Sequence, residues 1–224
     1  MAPTANAGRV RRLQGSRTSV TLVEVCVDTL VGAIDACSLG AARLEFCAQL
    51  ELDGLTPTEA DLRAVVASVH VPVFAMIRPR AGSFVMSQAE VRVMAGEIAM
   101  ARNAGAAGVV LGVLSSSGEI DQPSLAALVA AADELPVTYH RAFDGIAAPF
   151  QALDVLVRHG VTRLLTAGDG PRAWEGRELL RGLIERAGES LVVMPGGGVR
   201  MDHARALVEM TGAREVHSSR FLDL

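Results

Sequence analysis

Residues 39–47 read LGAARLEFC, a stretch in which a glycine ends a helical pattern and an apolar strand pattern follows within a few residues. Glycine is favoured at a helix end because it adopts the left-handed backbone conformation at little cost. The same joint recurs at Ala104-Gly105-Ala106, His159-Gly160-Val161 and Thr211-Gly212-Ala213. A helix-to-strand connection that recurs in this way indicates a repeated βα unit.

Eight short apolar segments surround these joints and predict eight strands. They lie near residues 20–27, 43–47, 71–77, 108–112, 136–140, 162–166, 190–194 and 215–218. Continuous apolar runs are typical of parallel strands buried on both faces. Helical patterns fill the intervals, and we expect capping boxes that begin at Thr56, with Glu59 at the third helical position, and at Ser87, with Glu90. Eight similar units predict an α/β fold of the TIM-type (β/α)8 barrel class rather than a doubly wound sheet.

The chain divides into a short tail and one domain. Residues 1–18 carry four arginines, no acidic residue and no clear apolar period. We predict a disordered N-terminal tail there, in preference to an organelle-targeting peptide, because the segment is short. No linker or low-complexity break interrupts residues 19–224, so a single barrel domain is expected over that range.

Composition excludes several classes of function. Half of the 224 residues are hydrophobic, yet the longest uncharged run, 103–118, is rich in Gly, Ala and Ser and falls short of a membrane span. A net charge of −4 with one Trp and one Tyr disfavours nucleic-acid binding. All 21 basic residues are arginine, which excludes a Schiff-base lysine and the usual PLP chemistry. Three cysteines and no secretory signal make a reducing cytoplasm the expected location.

A Glu-x-Cys motif on each of the first two predicted strands marks a candidate metal site. In such a barrel the functional face lies at the carboxyl ends of the strands. Side chains alternate along a strand, so Glu24 points the same way as Cys26, and Glu45 the same way as Cys47. Two neighbouring thiols suit Cu(I), which prefers thiolate and thioether ligands. The alternative is that both cysteines pack as small buried hydrophobic residues.

Arginines and glycines at the same face mark a candidate anion site. Arg78 and Arg80 share one side of the third strand, where two guanidinium groups would hold a carboxylate or phosphate. The alternative is that they pair with Glu24 and Glu45, because buried carboxylates need partners. The run Gly196, Gly197 and Gly198 precedes a helix expected near Val199, where its backbone N–H groups would bind an anion. The alternative is that the glycines simply form a tight turn. Ser218, on the eighth predicted strand, is the remaining candidate anion-binding residue.

Histidines supply the candidate acid–base groups. His140 ends the fifth predicted strand, Asp144 follows it, and His217 lies on the eighth strand. A histidine pKa is readily tuned toward neutrality, although a structural histidine is the common alternative. No His-x-His, Cys-x-x-Cys, His-Glu-x-x-His or Gly-x-Ser-x-Gly motif is present, so neither a zinc site nor a serine hydrolase is predicted.

A series of motifs, in order along the chain, resembles the CutC family of copper homeostasis proteins. They are Val23-Glu24-Val25-Cys26-Val27, Arg43-Leu44-Glu45-Phe46-Cys47, Gly54-Leu55-Thr56-Pro57, Met76-Ile77-Arg78-Pro79-Arg80, Tyr139-His140-Arg141-Ala142-Phe143-Asp144, Leu165-Thr166-Ala167-Gly168, Met194-Pro195-Gly196-Gly197-Gly198 and Glu215-Val216-His217-Ser218. The resemblance covers about residues 20–219. It implies a TIM-type barrel, a cytoplasmic homo-oligomer and copper binding through Cys26 and Cys47. The thioether of Met76, on the third predicted strand, is a candidate third ligand.

The chain departs from the family pattern at both ends. Few residues follow the eighth strand, so the eighth helix is expected to be missing and apolar surface between the eighth and first strands to be uncovered, unless the N-terminal segment or a partner subunit covers it. The resemblance does not account for residues 1–18.

Two functions follow from the sequence. The first is a copper-binding protein that uses Cys26 and Cys47. The second is an enzyme acting on a small phosphorylated or carboxylate-bearing metabolite. The anionic group of the substrate would be held by the arginines and glycines named above. His140 would act as acid or base, and Glu24, Glu45 or Asp144 would orient His140 or share in proton transfer.

Overall fold

The structure, a computed structural model, describes residues 21–219. The predicted N-terminal tail at 1–18 lies outside the described residues. The eight predicted strands are all confirmed: β1 Leu22–Val27, β2 Arg43–Phe46, β3 Val73–Met76, β4 Gly108–Leu111, β5 Val137–Tyr139, β6 Arg163–Thr166, β7 Val192–Pro195 and β8 Glu215–Ser218. They form one parallel sheet in the order β7-β6-β5-β4-β3-β2-β1-β8, which makes a nearly closed barrel of the predicted TIM type.

Helices alternate with the strands and cover the outside of the barrel. Residues 21–219 contain seven α-helices: α1 Leu30–Ser38, α2 Glu59–Ser68, α3 Gln88–Asn103, α4 Gln122–Ala132, α5 Pro149–Arg158, α6 Arg177–Ala187 and α7 Ala204–Thr211. The expected lack of an eighth helix after β8 concerns residues 220–224, which lie outside the described residues. Short 3₁₀ helices at Leu50–Leu52 and Arg141–Gly145 follow β2 and β5, at the carboxyl ends of those strands. The glycine of each predicted joint has a positive φ, as at Gly40 and Gly105 (100° and 89°).

Two local expectations are corrected. Thr58, rather than Thr56, caps α2, because its hydroxyl accepts from the backbone N–H of Asp61, whereas the capping box of Ser87 and Glu90 is confirmed. Helix α7 begins at Ala204 instead of near Val199. Between β8 and β1, where apolar surface was expected to need cover from another segment, Val23, Val25 and Val216 are buried.

The barrel interior holds charged as well as apolar side chains. Arg43 donates to Glu24 and, over 2.6 Å, to Glu215, which also accepts from Arg163 at 3.0 Å. The ring of Phe74 lies 5.1 and 5.2 Å from the guanidinium carbons of the two arginines. This paired network fills the barrel beneath the carboxyl ends of the strands and supports the side chains above it.

Among residues 21–219, no helix combines the length and the apolar character that a bilayer crossing requires.

Candidate functional site

A cavity of about 510 Å³ opens at the carboxyl ends of the strands. The predicted site residues that line it are Cys26, Glu45, Arg78, His140, Asp144, Gly197, Gly198 and Ser218, together with Met76, Arg141 and His217. Four predicted residues are not part of the lining: Glu24, Cys47, Arg80 and Gly196. The structure therefore brings most of the predicted site together in one place.

The two thiols meet at one side of this cavity. The sulfurs of Cys26 and Cys47 lie 3.9 Å apart, and the Cys26 thiol donates to Oε1 of Glu45 at 3.2 Å. Cys47 is fully buried behind Cys26, and Met76 belongs to the same apolar cluster. The contact with Cys47, together with burial, raises the pKa of the Cys26 thiol well above its ordinary range. Both cysteines are free thiols.

Glu24 and His217 form a buried pair next to the thiols. Nδ1 of His217 lies 2.8 Å from Oε1 of Glu24, whose other oxygen accepts from Arg43. Burial alone would raise the pKa of Glu24, but the hydrogen bond from His217 and the charge of Arg43 outweigh it and bring that pKa to about 2. Burial lowers the pKa of His217, and the nearby carboxylates of Glu45 and Glu24 more than offset this, so the pKa is raised. Glu24 is therefore a carboxylate that holds the imidazole in place.

Glu45 completes a group of three chemically different donors. Its Oε2 is buried without a hydrogen-bond partner among the described residues and lies 4.0 Å from Nδ1 of His217. Burial raises the pKa of the Glu45 carboxyl. One donor atom from each of Cys26, Glu45 and His217 lies within 4.8 Å of the others, which is close enough for a single metal ion.

The two predicted arginines make different contacts, and neither pairs with Glu24. Glu24 pairs with Arg43 and His217, so neither Arg78 nor Arg80 supplies its partner. The guanidinium of Arg78 lines the cavity but donates to the backbone carbonyls of Leu52, Asp53, Gly54 and Gly82 at 3.0–3.3 Å. These bonds from its two terminal nitrogens join two loops, whereas its buried Nε has no hydrogen-bond partner among the described residues. Arg80 pairs with Glu90 at the start of α3, away from the cavity.

The glycine loop after β7 does not lie at a helix N-terminus. Residues 199–203 separate Gly198 from the first residue of α7, Ala204, because the chain turns through them before the helix begins. Gly197 and Gly198 nevertheless line the cavity, with positive φ values of 89° and 71°. A Cβ at Gly197 would lie 3.0 Å from the guanidinium carbon of Arg141, so the missing side chain lets that arginine approach the loop.

His140, which follows β5, contributes a neutral imidazole to the wall of the cavity. Its Nδ1 accepts from the backbone N–H of Ala142 at 3.2 Å, which leaves the proton on Nε2, and Nε2 has no partner among the described residues. Burial, helped by the charge of Arg78, lowers the pKa of His140 to about 3. Asp144 accepts from Arg141 at 2.7 Å and from the Thr166 hydroxyl at 2.6 Å, so it positions Arg141 instead of contacting His140.

Sequence reasoning assigned no role to Arg43 or Arg141, and it did not foresee the pairing of His217 with Glu24. Arg43 carried a usable signal: a charged residue within an apolar strand must find a partner inside the barrel. Arg141 directly follows His140 in the sequence. Its position next to Gly197 arises because the loop after β5 packs against the loop after β7, which the sequence does not indicate.

Comparisons with known proteins agree with one another. The model of the CutC family matches residues 21–221. The "Copper homeostasis protein cutC homolog" of Mus musculus is 44% identical over 198 residues, which cover 88% of this chain and 73% of the mouse protein. The family protein CutC of Xanthomonas campestris pv. campestris (strain 8004) is 41% identical over 197 residues, which cover 88% and 82%. The crystal structure of CutC from Streptococcus agalactiae matches with a TM-score of 0.84 and 31% identity over 90% of this chain and 99% of that one.

Proposed function

The chain belongs to the CutC family, and from that membership and the geometry of its thiols we propose that it is a copper homeostasis protein that binds Cu(I) through Cys26 and Cys47. The observation that carries the proposal is the separation of 3.9 Å between the two sulfurs at the wall of the barrel cavity. At this distance both thiolates contact one ion without movement of the backbone. We expect the protein to act in a reducing cytoplasm, where these thiols stay free.

The surroundings of the thiols favour a soft monovalent ion. Cys26 and Cys47 are packed with Phe74, Met76 and Val110, an apolar environment that excludes water and offers a thioether close by. Thiolate and thioether ligands select Cu(I) over harder ions. Cys26 lines the cavity, so the ion has an entry path to the buried Cys47.

An anaerobic Cu(I) titration against a competing chelator tests this proposal. We expect one Cu(I) per chain, and a loss of affinity of more than about 100-fold in Cys26→Ser and in Cys47→Ser, because each removes a direct ligand. Cys37→Ser is the matched control, since Cys37 lies on α1 outside the cavity lining. Unchanged affinity in the Cys47→Ser protein would refute the two-thiol site.

A second function, catalysis on a small phosphorylated or carboxylate-bearing metabolite, is favoured by a separate observation. The buried Nε2–H of His140 has no partner among the described residues, and it belongs to the same cavity as Arg141 and the glycine loop. Buried polar groups are rarely left unpaired in native proteins, so a ligand atom that accepts from His140 accounts for this one. Arg141, which is half-exposed and pairs with Asp144, is a further candidate to hold the anion beside Arg78, whose buried Nε has no hydrogen-bond partner among the described residues.

Thermal unfolding in the presence of inorganic phosphate or succinate tests the second function. A bound anion stabilises the folded state by mass action, so we expect a saturable rise in Tm that is reduced in Arg141→Gln. Arg63→Gln is the control, because Arg63 lies on the exposed face of α2. Equal responses of the two variants would indicate general salt effects and count against an anion site at the cavity.

A further inference from the structure

Three side chains with different donor atoms converge from three adjacent strands. Cys26 lies on β1, Glu45 on β2 and His217 on β8, and β1 pairs with both of the others. The register places Cys26 opposite Glu45 and Glu24 opposite His217. We propose that Cys26, Glu45 and His217 form a second metal site, for a divalent ion of borderline softness such as Zn²⁺, whose remaining coordination position faces the cavity.

The unpartnered oxygen of Glu45 is the first observation that points to a cation. Oε1 of Glu45 accepts from Cys26, but Oε2 is buried with no hydrogen-bond partner among residues 21–219. Leaving a buried carboxylate oxygen unpaired costs folding free energy. An ion between the thiolate and this oxygen would satisfy it, with the thiol proton released to solvent when the metal binds.

A buried carboxylate holds the ring of His217 next to Glu45, whose Oε2 lies 4.0 Å from Nδ1. Nδ1 faces Oε1 of Glu24 at 2.8 Å, and with the proton on Nδ1 the lone pair lies on Nε2. Ligating histidines commonly donate their other ring N–H to a carboxylate, which fixes the tautomer and the ring orientation. Glu24 is itself held by Arg43, so the support extends to the network in the barrel interior.

The donor set selects the class of ion. One sulfur, one nitrogen and one carboxylate oxygen suit Zn²⁺ and Co²⁺, whereas Mg²⁺ and Ca²⁺ prefer oxygen alone. Three protein ligands beside an open position are typical of catalytic zinc sites, where the fourth ligand is water or substrate. All three residues line the 510 Å³ cavity, so an exchangeable ligand has room. No local sequence motif marks this site because each ligand comes from a different strand.

Two overlapping ligand sets share a single thiol. The Cu(I) pair is Cys26 and Cys47, and the mixed site is Cys26, Glu45 and His217. Cys26 therefore belongs to both sets of ligands. Cys47 does not line the cavity, and its sulfur instead faces the carbonyl of Val27 at 3.8 Å. Binding of Cu(I) and of a divalent ion must therefore be competitive.

Co²⁺ is the probe that tests the mixed site, because a thiolate bound to Co²⁺ gives a near-ultraviolet charge-transfer band. We expect one Co²⁺ per chain in the full-length reduced protein, with the band abolished in Cys26→Ser. Affinity should fall at least about tenfold in Glu45→Gln and in His217→Gln. The matched controls are Cys47→Ser and Cys37→Ser, which should keep both the band and the affinity, and one equivalent of Cu(I) should displace the Co²⁺.

The variants also separate this site from the two-thiol site. Cys47→Ser should lose Cu(I) and keep Co²⁺, whereas His217→Gln should lose Co²⁺ and keep Cu(I), which also shows that it remains folded. Co²⁺ binding that requires Cys47, or that is unchanged in both Glu45→Gln and His217→Gln, would overturn the mixed site. Failure of Cu(I) binding with normal Co²⁺ binding would overturn only the proposed copper function. Absence of the band in the unmodified protein would also overturn the mixed site.

Discussion

At the scale of single residues, the candidate site depends on positions that lack a side chain. A Cβ at Gly112, just after β4, would lie 2.4 Å from the imidazole of His140. A Cβ at Gly196, just after β7, would lie 2.3 Å from Leu165 and 3.2 Å from Cβ of His217. Glycine at the ends of these two strands thus makes room for the two histidine rings at the cavity.

The substitution Gly112→Ala tests this role. The new methyl group must displace the buried His140 ring, so we expect the free energy of unfolding in urea to fall by about 1–3 kcal/mol. Gly96→Ala is the matched control. Gly96 lies inside α3, where no described atom beyond its own helix lies within 4 Å of the place a methyl group would take, and alanine there should stabilise the helix by about 0.5–1 kcal/mol. Equal unfolding free energies for Gly112→Ala and the unmodified protein would mean that the ring moves aside freely.

The sequence predicts part of this site and not the rest, for a geometric reason. Side-chain alternation on neighbouring strands is enough to bring Cys26, Cys47 and Glu45 together. The partnership of His217 with Glu24 depends on how β8 meets β1 when the barrel closes, which a local pattern does not specify. Arg78 shows a further limit: its charge suggested an anion site, but the sequence does not reveal that its two terminal nitrogens donate to carbonyls of two loops.

At the scale of secondary structure, Glu90 links the loop after β3 to helix α3. One carboxylate oxygen accepts from the backbone N–H and hydroxyl of Ser87, and the other accepts from Arg80. The hydrogen bond from Arg80 and those from Ser87 lower the pKa of Glu90 from 4.5 to about 2. A single side chain therefore caps the helix and holds the arginine that was expected at the cavity.

The pH dependence of Glu90→Gln follows from this lowered pKa. A carboxyl whose pKa is lower in the folded state contributes stability above its unfolded pKa and loses it as the pH falls through the folded value. We expect Glu90→Gln to have a lower Tm than the unmodified protein at pH 7, with the difference shrinking from about pH 4.5 toward pH 2. Glu185→Gln is the control, because its pair with Arg181 on α6 is exposed and should contribute little. A Tm difference independent of pH would contradict this origin.

The elements themselves were predictable to the extent that burial determines their pattern. Parallel strands covered on both faces are apolar, so their sequence pattern is easily recognised. The few charged strand residues, such as Arg43, Arg163 and Glu215, pair with one another inside the barrel and interrupt that pattern little. The start of α2 was less predictable. Thr56 and Thr58 are both suitable caps by type, and Thr56 is instead used by tertiary contacts with Arg78 and Glu97.

At the scale of the whole molecule, an apolar surface remains on the outer face of helix α1. Leu30, Val31 and Ile34 are exposed by 38%, 68% and 45%, although they lie within two turns of one helix. Val23 and Val25 on β1 are buried, so the exposed apolar side chains in this region lie on the helix. Contiguous exposed apolar side chains on a protein surface commonly mark an interface.

We expect this face of α1 to mediate association with a second copy of the chain, in line with the homo-oligomer that the family resemblance implies. A charge placed in a desolvated apolar interface has no partner and weakens association, so Val31→Lys should shift the protein toward monomer in sedimentation equilibrium over a range of concentrations. Val93→Lys is the matched control, since Val93 is exposed by 51% on α3. In a two-fold symmetric dimer the same patch of each subunit lies in the interface, so one substitution places two charges there. The increase in the dissociation constant should therefore exceed that caused by a charge elsewhere on the surface. If the unmodified protein is monomeric at every concentration, or if both variants dissociate it equally, α1 is not the interface.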